Sequence, residues 1–136
     1  MENIQFELTM LLRLSIATVF GLLIGIERQR HGKIAGIRTF ATLALGTALF
    51  TLLATQVGAT QYDASIVAAT IIGVGLLASK MTVTTIENEQ DFSNVAAIWA
   101  TAAISVAVAL GLYFLSGTAA VLLLIIFWFK DLYNKN

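Results

Sequence analysis

The sequence predicts an all-α fold: a polytopic integral membrane helix bundle of five transmembrane helices. Three observations carry this. Of the 136 residues, 58% are apolar and only 12% charged, and the mean hydropathy is +0.86. A soluble domain carries about 25% charged residues. The apolar residues fall into five runs, each close to the roughly 20 residues of helix that a bilayer core of about 30 Å requires. Finally, the runs do not alternate, as the strands of a membrane barrel would, and none has the charged face of a soluble amphipathic helix.

The first span covers about residues 8–26 and holds a single charge, Arg13. No basic segment precedes it and no small-x-small site follows it, so it reads as a retained helix and not a cleaved signal. The second, about 39–57, is uncharged. Its threonines bond back to carbonyls of the preceding turn. The third, about 64–81, is uncharged as far as Ser79, with Lys80 at its end. The fourth runs over about 95–113 and the fifth over about 116–133, with Ser116-Gly117 read as the break between them. Lys130 would snorkel to the interface, beside an aromatic belt of Trp128, Phe129 and Tyr133.

Short loops rich in Lys and Arg stay cytoplasmic. Five spans place Arg28, Arg30, Lys33, Arg38, Lys80, Lys130 and Lys135 on one side and leave Arg13 on the other. The expectation is an N-terminus outside and a C-terminus in the cytoplasm. The whole chain, 1–136, reads as a single transmembrane domain in the inner (cytoplasmic) membrane.

Composition narrows the function. There are no cysteines, one histidine and eight charges of each sign. A thiolate metal site is excluded, and so is a basic patch for nucleic acid. No nucleophile–base frame, phosphate loop or zinc motif is present, so an enzyme is not expected. Small residues recur at helical spacing, with Gly21 and Gly25 as a GxxxG pair and Gly73 and Gly75 in the third span. Such residues let helix backbones approach. They serve packing within one bundle or, as the alternative, a homo-oligomer face.

The charged residues divide in the same way. Arg13 either snorkels to the nearby outer end or serves an intramembrane role. Asp63 suits a helix N-cap. Glu87, Glu89 and Asp91 alternate in a loop that could attract magnesium, though Thr84-x-x-Glu87 also reads as a capping box. His31 reads as solvated. Glu27 and Arg28 lie at the end of the first helix and Arg38 and Thr39 at the start of the second. An arginine fork matches a carboxylate bidentately, so Glu27 is expected to reach Arg28 or Arg38. This group is either a topology anchor or a functional polar site.

The stretch Gly25-Ile-Glu-Arg-Gln-Arg-His-Gly-Lys-Ile-Ala-Gly-Ile-Arg-Thr resembles the signature of the MgtC/SapB family of small prokaryotic membrane proteins. Gly73-Val-Gly-Leu-Leu-Ala is similar to a second family segment. Asp91-Phe-Ser-Asn-Val-Ala-Ala-Ile-Trp is similar to a third, with Ser93 and Asn94 where the family has paired threonines. The C-terminal soluble domain of longer members is absent from this sequence. The resemblance implies a role in magnesium homeostasis or low-magnesium adaptation, association with virulence, and regulation through a membrane partner such as the F-type ATP synthase. The alternative is a transporter or channel component for a cation or small solute. No cofactor is implied beyond association with Mg2+. The implied functional cluster is Glu27, Arg28, Arg38 and Thr39.

Overall fold

The computed structural model describes residues 2–57, 63–83 and 90–133. Those residues form five α-helices: α1 (Glu2–Arg30), α2 (Ile37–Val57), α3 (Asp63–Val83), α4 (Gln90–Ala109) and α5 (Tyr113–Tyr133). At about 1.5 Å per residue each reaches roughly 30 Å or more. Two apolar stretches, Ile4–Arg30 and Ile37–Gln56, are long enough by themselves to cross a membrane.

Side chains are sorted as a bilayer would sort them. Beside Ile24, Phe40, Ile98 and Val108, the interior is rich in small and polar residues: Ala17, Ala44, Ala48, Ala97, Ala102 and Ala109, with Thr47, Thr51, Thr101, Ser105 and Ser116. The outer faces hold Leu11, Leu12, Phe50, Leu76, Phe114, Ile126 and Phe129. Such an apolar exterior is far larger than a soluble monomer tolerates. The buried hydroxyls of Thr51, Thr101, Ser105 and Ser116 are satisfied within their own helices. Thr51, Thr101 and Ser105 each donate to the carbonyl four residues back, at 2.8 Å.

Helix α4 is the centre, touching each of the other four. The most extensive pairing is α1 on α2, and it follows from the GxxxG pair. A Cβ placed on Gly21 would sit 2.5 Å from the Phe40 carbonyl oxygen and 2.6 Å from Ala44 Cβ. On Gly25 it would sit 2.7 Å from Ile37 Cα. Only hydrogen fits at either place. The buried stripe of α1, Ala17, Gly21, Ile24, Gly25 and Arg28, has the period of one helix face. Gly75 meets the edge of Trp99, 3.3 Å from a built Cβ. Gly73, expected at a close contact, instead has nothing within 4 Å. With Gly46 it lines a lateral cleft of about 630 Å³ between α2 and α3.

Helix ends differ from the expected spans. The first helix is longer at both ends than 8–26, and α4 begins at Gln90, before residue 95. The break between the last two helices falls at Gly111, not at Ser116-Gly117. Gly111 adopts φ +81°, and its N–H donates to the Val108 carbonyl while that of Leu112 donates to Ala107, both at 2.9 Å. This is a Schellman stop. Ser116 stays helical, buried, with its hydroxyl 3.0 Å from the Tyr113 carbonyl. The same stop ends α1: Gly32 has φ +64°, and the Lys33 N–H meets the Arg28 carbonyl at 3.1 Å.

Substituting Gly21 by alanine should destabilise the chain by about 1–3 kcal/mol, the usual cost of overpacking. Gly73→Ala should cost nothing measurable. Thermal unfolding in detergent micelles checks the pair, and equal midpoints would contradict the packing described.

Candidate functional site

The polar group expected at the junction of the first two helices divides in three. Arg28 turns inward and is 4% exposed. Its Nη1 donates to Ser93 Oγ at 3.1 Å and its Nη2 to Asn94 Oδ1. The guanidinium lies 4.7 Å from the centroid of the Phe127 ring, a cation–π contact. Glu27 turns outward instead. Its carboxylate pairs with His31 Nδ1 at 3.2 Å and lines a groove against α5. Arg38 and Thr39 are exposed on the first turn of α2. Glu27 forms no ion pair with Arg28 or Arg38, because consecutive residues on a helix point about 100° apart and Gly25 leaves Arg28 the inner position.

A buried guanidinium whose partners are neutral is unusual, since a charge taken from water normally needs an opposite one. Here an amide oxygen, a hydroxyl and a ring face supply what a carboxylate would. The Nε of Arg28 is buried without a hydrogen-bond partner. Ser93 and Asn94 lie in the first turns of α4, and Asn94 is itself 2% exposed.

Arg13, in the middle of α1, repeats the arrangement at the C-terminal end of α4. It does not snorkel freely. Its Nη1 donates to the Ala109 carbonyl at 2.7 Å, one of the carbonyls a helix terminus leaves open. A cation there also suits the negative end of the helix dipole. A Cβ on Gly111 would lie 3.0 Å from Arg13 Nη2, so Gly111 serves both the turn and the arginine. The Arg13 Nε, like that of Arg28, is buried and unpartnered. The two contacts are fifteen residues apart on α1 and fifteen apart on α4, about 22 Å along each axis. The helices therefore run antiparallel in strict register.

Sequence reasoning missed four participants. In the sequence Asn94 and Ser93 stand out only as departures from a family motif, although an amide opening an apolar span is itself a signal. Phe127 gave no signal among so many apolar neighbours. Gln29 gave none either: its Oε1 accepts the Ile37 N–H at 3.2 Å and caps α2. Among the described residues no group of three His, Cys, Asp or Glu gathers as a metal site. Glu87 and Glu89, with the Thr84 capping box, lie outside the described residues. So do the side chains of Asp63, Lys80, Asp91, Lys130 and Tyr133.

An apolar-surfaced helix bundle with arginines fastened inside it is a membrane protein. The chain belongs to the MgtC family, whose model matches residues 14–135. It is 34% identical over 115 residues to Protein SrpB of Synechococcus elongatus, covering 74% of this chain and 63% of that one. Against "Putative magnesium transporter YhiD" of Escherichia coli K12 it is 31% identical over 124 residues, 85% of this chain and 58% of the relative. Against Protein MgtC of Salmonella typhimurium it is 32% identical over 111 residues, 82% and 48% of the two chains. The chain thus spans about half the length of the curated relatives it matches. No solved structure matches it.

Two outcomes test the site. Asn94→Leu should destabilise by about 3–5 kcal/mol, because it strands a buried charge. Pairing it with Arg28→Met should recover most of that loss, giving a large coupling energy in a double-mutant cycle. Gly111→Ala should destabilise more than Gly117→Ala, since only Gly111 has positive φ and only there does a built Cβ approach Arg13. Unfolding in micelles measures both.

Proposed function

We propose that this chain is a five-span protein of the cytoplasmic membrane, N-terminus outside, that acts as a regulator by binding a membrane partner in adaptation to low magnesium. The observation that carries the regulatory reading is the buried Arg28. A cation moving through the inner end of the bundle would meet a fixed positive charge held by neutral groups. The buried hydroxyls of Thr51, Thr101 and Ser105 are already bonded within their helices, whereas a permeation path needs polar groups free to face it. The family resemblance suggests the membrane part of the F-type ATP synthase as a partner. The Lys and Arg of the 31–38 loop and the helix ends beside it support the orientation. A second reading, a transport component for a cation or small solute, is supported by the name of the YhiD relative.

Purified protein in liposomes should give no magnesium or proton flux above empty vesicles. In native membranes a photo-crosslinker at the exposed Leu23 of α1 should capture another membrane protein. Robust flux that Glu27→Gln abolishes would overturn the regulatory reading. For topology, a reporter fused after Asn136 should read cytoplasmic, and a periplasmic signal would overturn the five-span arrangement.

A further inference from the structure

Helices α1 and α5 meet over the least contact of any neighbouring pair in the bundle. Between them lies a groove of about 360 Å³ lined by Glu27, Val121, Leu124, Ile125 and Trp128. The four α5 residues fall at helical spacing on one face, a stripe about 10 Å long. The groove opens outward: Val121, Ile125 and Trp128 are exposed, Trp128 to 61%. At its head stands the Glu27 carboxylate, 23% exposed and next to His31 at the solvent end of α1. The groove therefore combines an apolar wall, an acceptor-only anion and an indole that brings a donor-only N–H.

We propose that this groove binds one membrane phospholipid with a primary ammonium headgroup, of the phosphatidylethanolamine type. An acyl chain lies along Val121, Leu124 and Ile125, and the ammonium donates to the Glu27 carboxylate. Charge decides among the occupants. A glycerol headgroup carries no cation to pair with Glu27. A choline headgroup has no N–H to donate. A divalent ion takes several oxygen ligands, and the groove offers one carboxylate. A tryptophan at the headgroup level suits the interfacial belt. The assignment rests on the multi-span reading above, because α5 must lie in the bilayer.

The test uses tryptophan fluorescence. The chain has two tryptophans, Trp99 and Trp128, so Trp99→Phe leaves Trp128 as the reporter. The variant is reconstituted in phosphatidylcholine vesicles containing a minor fraction of lipid brominated on its acyl chains. Brominated phosphatidylethanolamine should occupy the groove about tenfold in excess of brominated phosphatidylcholine, the ratio one charge-assisted hydrogen bond supplies. Glu27→Gln should abolish that preference and Glu27→Asp should keep part of it. The Trp128→Phe chain, reporting from Trp99, should show no preference. Equal quenching by both lipids overturns the proposal while leaving α5 in the bilayer. So does a preference for brominated phosphatidylglycerol, or a preference that survives Glu27→Gln. Quenching that falls as protein density rises overturns it in favour of a second copy of this chain. No quenching by any brominated lipid overturns it together with the membrane placement of α5.

Discussion

Everything in this bundle depends on α1 and α2 coming close enough for backbone to touch backbone. Lipid tails are as apolar as leucine, so burying leucine between helices gains little. Van der Waals contact must do the work, and it falls away within an ångström of excess separation. Gly21 and Gly25 remove that excess. With Cβ absent, α1 settles against the Phe40 carbonyl and the Ile37 backbone. Phe40 becomes fully buried, and Arg28, one turn further along the same stripe, is carried into the interior.

The second constraint is polar. Close packing explains why helices touch but not which residue stands opposite which. Arg28 on Asn94 and Arg13 on Ala109 decide that for α1 and α4. One contact joins a side chain to a side chain, and the other joins a side chain to a helix end. Both tie polar groups of the central helix to guanidinium groups of α1. The remaining helices are less constrained. Helix α5 buries only Ser116 and Ala120, and α3 buries only Val74 and Ala78 among the residues whose burial is described. The periphery is where the clefts lie.

The helical content and the order of the five helices were legible because hydropathy is a sum over many residues and tolerates local error. The spacing of Gly21 and Gly25 signalled a close backbone contact, but only the packed structure shows that α2 of the same chain fills it. The helix ends were less legible. Ser116-Gly117 looks like a break, and Gly111, flanked by leucines, does not. A single positive φ outweighs a serine that can bond to its own helix. The site was legible only in outline. Glu27 and Arg28 stand out in the sequence as polar residues at a helix end. Their opposite directions depend on which face α1 presents to α2 and α4, and that is a property of packing. Asn94, sixty-six residues from Arg28, could be paired with it only once α4 was placed.

The equal spacing of the two arginine contacts has a mechanical consequence. Sliding α1 along α4 by one helical turn would break both fastenings at once and leave two guanidinium groups in an apolar interior. Piston movement between these helices is therefore costly, and the pair is held in register over about 22 Å. Any tilting or swinging is left to the peripheral α3 and α5, each with only two buried side chains among the residues whose burial is described.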